Sequence, residues 1–267
     1  MDPYEKVARL LLEHKNISAF TGAGISAESG IPTFRDPGGL WDQFDPDEFG
    51  TTGGLIQAAL KKPALIRDFL LQMVDIFDRA KPNPGHYGLK SLEELGLLKT
   101  IITQNIDHLH QEAGNQRVIE VHGSLFRGRC LSCGRKQQLN KAELLARARK
   151  LLEDEEHFEV GKLAELLPRC PACNGVSRPD VVMFGEQVLQ LPEAIAVAEQ
   201  SDLMLVLGTS GVVYPAAAIP YQASERNAVI IEINPSGNYY DSICECYIDS
   251  PAGAAMPKII DRLKDLL

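Results

Sequence analysis

The sequence contains no apolar run of about 18 residues, so no membrane-spanning helix is expected. It is short of positive charge: 27 Lys and Arg stand against 36 Asp and Glu, a formal net charge of −9. That balance repels a polyanion, so direct nucleic-acid binding is not expected. A cationic partner, such as a Lys-rich protein segment, suits it, as does the plainer role of keeping the chain in solution. Neither G-x-S-x-G nor H-E-x-x-H occurs, so the signatures of a serine hydrolase and a zincin are missing. No export signal stands out: Met1–Lys15 mixes Asp, Glu, Lys and Arg with Leu, which reads as an amphipathic helix, and the expected address is the cytoplasm. There is no internal repeat and no low-complexity tail.

What is present is a chain of 267 residues that is 45 % apolar, enough for a sizeable core in one large domain or one domain with a satellite. Strand candidates at Ile17–Thr21, Lys99–Thr103, Val118–Val121, Val181–Phe184, Leu203–Leu207 and Ala228–Ile233 alternate with helical stretches. The last two are continuous apolar runs of the kind that buried parallel strands show. The fold class is therefore α/β with a Rossmann-like parallel sheet. Helical spacing runs from about Gly54 to Arg79, with Leu65, Phe69, Met73, Ile76 and Phe77 on one face. Helices are also expected at Ser91–Leu95, Lys141–Leu152, Ala194–Gln200 and Pro257–Leu267. Residues 42–84 and 126–179 interrupt the alternation and are expected to form a smaller inserted domain. The expected parent domain is discontinuous, over 1–41, 85–125 and 180–267.

Gly22-Ala23-Gly24-Ile25-Ser26-Ala27 follows the first strand directly and fits G-x-G-x-x-G/A. The first glycine permits a tight turn, the second lets backbone N–H groups approach a pyrophosphate, and the small last residue lets helix and strand pack closely. A plain glycine turn is the other reading. A dehydrogenase-type unit expects an acid at the end of a second strand about 20 residues on. Here Pro37–Gln43 reads as a loop, so Asp42, Asp45 and Asp47 are poor candidates for ribose recognition, which argues against hydride transfer.

Gln104, Asn105 and Asp107 follow the strand that ends at Thr103, where an open α/β sheet binds ligands. They can pair with a carboxamide's donor and acceptor, or Asn105 or Asp107 can cap the helix that follows. His122 also follows a strand and is either a general base or a structural imidazole. His108 and His110 are expected in the next helix as packing or surface residues, and His86 is expected to cap or buttress a helix. Cys130-x-x-Cys133 and Cys170-x-x-Cys173 form two knuckles suited to a closed, structural Zn2+ shell, with a redox dithiol as the alternative. Cys244 and Cys246 alternate in a strand-like segment and are expected as buried free thiols.

In combination these residues resemble the sirtuin family of NAD-dependent protein lysine deacylases. The resemblance covers nearly the whole chain: Gly22–Arg35, Thr103–Asp107, His122-Gly123, both cysteine pairs, Val181–Glu186, Gly208–Ser210 and Ile233–Pro235. It implies NAD as co-substrate, structural Zn2+, and products nicotinamide, O-acyl-ADP-ribose and free lysine. It implies that Gly22, Ala23, Gly24 and Glu28 lie on the cofactor, with Phe34 and Arg35 in a mobile loop over the nicotinamide ribose. Asn105, Ile106 and Asp107 would form the nicotinamide pocket and Gln104 would contact the ribose. Gly208, Thr209 and Ser210 would hold the phosphates and adenosine side, Asn234 the adenine ribose, and Ala252 the adenine. His122 and Asn105 are the implied catalytic pair. An acylated-lysine segment would pair as a strand between Val181, Val182, Met183, Phe184 and Gly185 on one side and Val212, Val213 and Tyr214 on the other. An ADP-ribosyltransferase or NAD glycohydrolase would use the same cofactor site, and a zinc-ribbon module on an inactive scaffold is the reading from another class.

Two departures matter. Thirty-six residues, 134–169, separate the cysteine pairs, which implies an enlarged zinc lobe. Family members that prefer acidic acyl groups carry a Tyr-x-x-Arg pair in the helix before the Pro-Asn-x-Gly-His segment. Here that helix reads Phe69–Asp75 without such a pair, so a neutral acyl group, acetyl or longer, is expected.

Overall fold

The computed structural model describes residues 2–33, 38–235 and 237–267. Its centre is a six-stranded, all-parallel sheet built from β1 (Ile17–Thr21), β2 (Leu98–Thr103), β3 (Val118–Glu120), β7 (Leu203–Leu207), β8 (Val229–Ile233) and β9 (Cys244–Ile248). The strand order is β3-β2-β1-β7-β8-β9, which is the Rossmann order with its direction of winding reversed between β1 and β7. β1 and β7 are buried at every position, which is why β7 reads as an unbroken apolar run, while β1 carries two buried polar residues, Ser18 and Thr21. Ser18 Oγ is satisfied by Ser201 Oγ at 2.7 Å.

Helices cover both faces. On one side, Pro3–Glu13 and Ala252–Leu266 bury Val7, Leu11, Met256, Ile259 and Leu263 against the sheet. On the other, Leu191–Gln200 and Ile219–Ser224 pack against Phe20, Met204 and Val206. Asp2 caps the first helix by accepting from Tyr4 N at 3.2 Å.

A second sheet is antiparallel, in the order β5-β4-β6, from β4 (Gly123–Cys130), β5 (Lys136–Gln138) and β6 (Ser177–Val181). The two sequence interruptions meet here. Val74 and Phe77 of the Pro63–Arg79 helix share a core with Phe126 of β4 and with Leu145, Ala148 and Leu152 of the Lys141–Glu153 helix. Part of the long linker between the cysteine pairs thus supplies an apolar face to the helical insertion.

Several expectations change. The helical stretch ending at Arg79 is two helices, Thr52–Lys61 and Pro63–Arg79, because Pro63 cannot continue the first and instead opens the second. Leu65 is 37 % exposed, and Ile66 takes the inward position. The strand expected at Val181–Phe184 is β6, ending at Val181; Phe184-Gly185 is a turn with Gly185 at φ 82°. The last helix starts at Ala252 and carries Pro257 inside its first two turns. His108 is not helical: it precedes Leu109–Glu112 in the left-handed region, at φ 67°. Cys246 is buried in β9 as expected, but Cys244 is only half-buried.

Candidate active site

The winding reverses between β1 and β7, the point beyond whose carboxyl ends an open α/β sheet binds ligands, and loops from four strands meet there. Gly22 N donates to Leu207 O at 3.0 Å and Gly24 N to Gly208 O at 2.8 Å, so the glycine turns after β1 and β7 lie in direct contact. A Cβ on Gly24 would stand 2.7 Å from Gly208 Cα, so no side chain fits between them. Asn234 Nδ2, after β8, donates to Thr209 O at 2.8 Å. Gln104 Nε2, after β2, donates to Thr209 Oγ1 at 2.8 Å. The backbone N–H groups of Ala23, Thr209 and Ser210 have no acceptor among the described residues. Such groups, clustered where the chain carries no side-chain bulk, suit a pyrophosphate.

The amide–carboxylate loop is locked from below. Asn105 is 8 % exposed, and its Nδ2 donates to Gly22 O at 3.0 Å and Ser26 Oγ at 3.1 Å. Ser26 Oγ in turn donates to Asp107 Oδ2 at 2.7 Å. Asp107 Oδ1 accepts from Leu109 N at 3.0 Å two residues on, while the N-cap of the short helix is His108, not Asp107 or Asn105. Burial raises the Asp107 carboxyl above its usual range, opposed by the Ser26 and Leu109 bonds. Ile106 is half-buried, and its carbonyl accepts from Leu125 N at 3.1 Å.

His122 lies in the turn between β3 and β4, and its Nδ1 is 3.0 Å from Gln104 O. A carbonyl only accepts, so Nδ1 carries the proton and Nε2 keeps the lone pair. Burial lowers the imidazole from its ordinary value, and the Gln104 carbonyl partly opposes this. Gly123 follows at φ 80°, and a Cβ there would sit 1.8 Å from Asp180 O; only glycine lets the chain turn from His122 into β4. The carbonyl of His122 accepts from Val182 N at 2.9 Å, which brings the Val181–Gly185 segment alongside the imidazole residue.

That segment is braced. Phe184 N donates to Gly50 O at 2.9 Å, and the Phe184 ring lies 6.0 Å from that of Trp41. Glu186 accepts from Arg178 and from Thr52 Oγ1, and Arg178 holds its carboxyl below the usual range. In the loop after β7, Val212, Val213 and Tyr214 donate no backbone N–H to any described residue, and Val212 and Tyr214 are exposed.

The structure thus joins Gly22, Gly24, Gln104, Asn105, Asp107, His122, Gly208, Thr209 and Asn234 in one hydrogen-bonded network. Glu28 stands apart: it is exposed and accepts from Gly253 N at 2.7 Å, at the start of the last helix. Ala252 is 2 % exposed, its methyl group turned into the core beside Gly85. Phe34 and Arg35 lie outside the described residues. Sequence reasoning gave Ser26 no role, although it joins Asn105 to Asp107; its only signal is a serine buried within an otherwise small, apolar turn.

At the far end of β4, the four thiols of Cys130, Cys133, Cys170 and Cys173 lie within 4.8 Å of one another. Three of the Sγ–Sγ separations are 3.5, 3.6 and 3.5 Å. A tetrahedron with Zn–S of about 2.3 Å has an edge of about 3.8 Å, so the cluster fits Zn2+ with no open position. The metal is structural, and the redox reading of the two motifs falls away, since the thiols converge across the pairs.

Sheet order, paired glycine turns and a polar loop at the switch point define a dinucleotide-binding α/β protein. The Sir2 family model matches residues 22–215, and the chain belongs to the Sir2 family. An NAD-dependent protein deacylase of Desulfosudis oleivorans is 45 % identical over 98 % of this chain and 96 % of its own. The solved structure of a Sir2 enzyme is 39 % identical and covers 100 % of this chain and 99 % of its own, with a TM-score of 0.79. A Sir2 protein bound to a myristoylated histone peptide is 34 % identical over 99 % of this chain and 98 % of its own, with a TM-score of 0.73.

Proposed function

We infer that this chain is an NAD-dependent protein lysine deacylase, forming free lysine, nicotinamide and O-acyl-ADP-ribose. The observation that carries this is the convergence of His122 on the amide–carboxylate loop, through Gln104 O at 3.0 Å, beside the paired glycine turns. The deacylase relatives at 40–45 % identity support the same reaction.

Each group has a part. The free N–H groups of Ala23, Thr209 and Ser210 receive the pyrophosphate, and Asn234 faces the adenosine side. Asn105 and Asp107, held rigid by Ser26, receive the carboxamide of nicotinamide. Burial of that pocket keeps water from the ribose carbon when the nicotinamide bond breaks, so the acyl-amide oxygen captures it instead. His122 Nε2, the only ring nitrogen left as a base, then removes a ribose hydroxyl proton; the alkoxide so generated attacks the acyl carbon, the lysine nitrogen leaves protonated as the free amine, and one water, admitted after that step, opens the resulting acyl-bridged ribose to O-acyl-ADP-ribose. The acylated segment enters as a strand between Val181–Gly185 and Val212–Tyr214, where Val212, Val213 and Tyr214 offer unpaired donors. Backbone pairing of this kind gives affinity with little side-chain selection, and the chain's charge of −9 suits Lys-rich targets. None of the six cysteines is in a disulfide, which suits a reducing, cytoplasmic address.

Mass spectrometry of an acetyl-peptide and NAD reaction tests the assignment. O-acetyl-ADP-ribose is the expected product; nicotinamide released at the same rate without peptide would instead mark a glycohydrolase. The acyl group is neutral, because the helix stretch Phe69–Asp75 carries no Tyr-x-x-Arg pair to recognise an acid. Acetyl- or longer neutral acyl-lysine is expected to be turned over faster than succinyl-lysine in a side-by-side assay, and the reverse order would overturn this.

A further inference from the structure

Two histidines other than His122 are buried beneath the same loops. His86 is the third residue of the Pro84–Glu94 helix and His110 lies in Leu109–Glu112; their ring centroids are 4.9 Å apart at 57°. Their fixed partners determine where each proton sits. Asn83 N can only donate, so His86 Nδ1, 3.3 Å away, accepts, and the His86 proton is on Nε2. Thr21 Oγ1 donates to Thr103 Oγ1 at 2.8 Å, so it accepts from His110 Nε2 at 3.0 Å, and the His110 proton is also on Nε2. His86 is left with a buried N–H and His110 with a buried lone pair on Nδ1, and neither atom has a partner among the described residues. Buried orphan groups are rare because they are costly, and these two are complementary.

We infer that His86 and His110 are positioning residues: one bound water accepts from His86 Nε2 and donates to His110 Nδ1, and completes a one-directional hydrogen-bond chain from Asn83 to Thr103. Every donor then points the same way, so each bond polarises the next. At its far end, Thr103 Oγ1 also accepts from Asn105 N at 3.1 Å. At its near end, Asn83 Nδ2 donates to Ile25 O at 2.7 Å and Ser29 Oγ at 2.9 Å. The chain therefore ties the helix after the first glycine turn to the backbone of Asn105. It is a second tie between the phosphate turn and the nicotinamide loop, beside the direct bond from Asn105 Nδ2 to Gly22 O. This consequence rests on the role given to Asn105 above; the hydrogen-bond chain itself does not.

The test has two arms. Long-range 15N–1H NMR of the zinc-loaded protein without substrate is expected to show both rings protonated on Nε2. An Nδ1 proton on either ring would overturn the chain, whatever reaction the protein catalyses. In the second arm, Thr21→Val removes the hydroxyl at nearly constant shape, and Thr21→Ser keeps it. Thr21→Val loses two buried neutral bonds, the one to Thr103 and the one from His110, which corresponds to about a thirtyfold fall in kcat/KM for NAD with the peptide KM unchanged. Thr21→Ser is expected to stay within about twofold of wild type. A wild-type Thr21→Val, or a Thr21→Ser impaired equally, would show that packing alone matters at this position. If the wild type shows no deacylation at all, NAD affinity by calorimetry replaces kcat/KM in the comparison, so the two inferences fail separately.

Discussion

His122 owes its suitability as a base to one carbonyl. Because Gln104 O occupies Nδ1, the lone pair is confined to Nε2, and because burial disfavours the imidazolium, that lone pair is free at neutral pH. Replacing His122 with Ala is expected to lower kcat by about 10²–10⁴-fold, the usual contribution of a positioned base, with NAD affinity retained in calorimetry. Unchanged turnover would remove His122 from the reaction. The lowered imidazole value also fixes the sign of the pH dependence. The protonated, inactive form accumulates only below the ordinary value of about 6.5, so the acid limb of kcat/KM should lie below that and the profile should be flat from 7 to 8. An acid limb centred above pH 7 would contradict the burial argument. At this scale the sequence told much: glycines, amides, acid and imidazole were each identifiable by type and by their place after a strand. It did not show Ser26 as the link between Asn105 and Asp107. Those partners are 79 and 81 residues away, and nothing local marks a hydroxyl for so distant a bond.

Among the elements, the zinc knuckles carry the clearest consequence. They terminate β4 and precede β6, and β4 also supplies Gly123, which lets His122 turn into place. β6 leads directly into the Val181–Gly185 segment. Removing the metal frees both strand ends, although no zinc ligand is near the imidazole in the chain of contacts described. Cys170→Ser, or treatment with a chelator, is expected to lower the melting temperature and to raise the peptide KM before NAD binding is lost. Since structural zinc binding free energy is folding free energy, a variant with unchanged melting behaviour would argue that the thiols hold no metal. Element types were legible where periodicity was strong. The boundaries that moved did so for local reasons: Pro63 restarts a helix, Gly185 closes a turn, and Ala252 begins a helix before the proline that seemed to start it.

For the molecule as a whole, buried histidines make stability depend on pH. Burial lowers His86 to about 4 and His110 well below its ordinary value. A histidine whose value is depressed on folding binds fewer protons in the folded chain, so its stabilisation is present above about pH 6.5 and is lost as pH falls. For His86 the loss between 6.5 and 4 is about 3 kcal/mol. Buried Asp107 and Glu232, both raised by burial, act in the opposite sense, so the effect is isolated by comparison with His86→Gln. The stability advantage of wild type over His86→Gln is expected to shrink by about 3 kcal/mol across that window in denaturant titrations. A pH-independent difference would show that His86 is not held neutral.

Taken alone, the sequence determined the parallel sheet, the phosphate-suited turn, the zinc cluster and the residue types of the site. Each of these is encoded locally: burial on both faces demands apolar strands, a tight turn demands glycine, and a metal knuckle demands closely spaced thiols. Only the tertiary structure decided that His122 meets Gln104, that Ser26 bridges Asn105 and Asp107, and that His86 faces His110. Those contacts join loops from different strands, and their geometry is fixed by strand order and sheet register rather than by any neighbour in the chain.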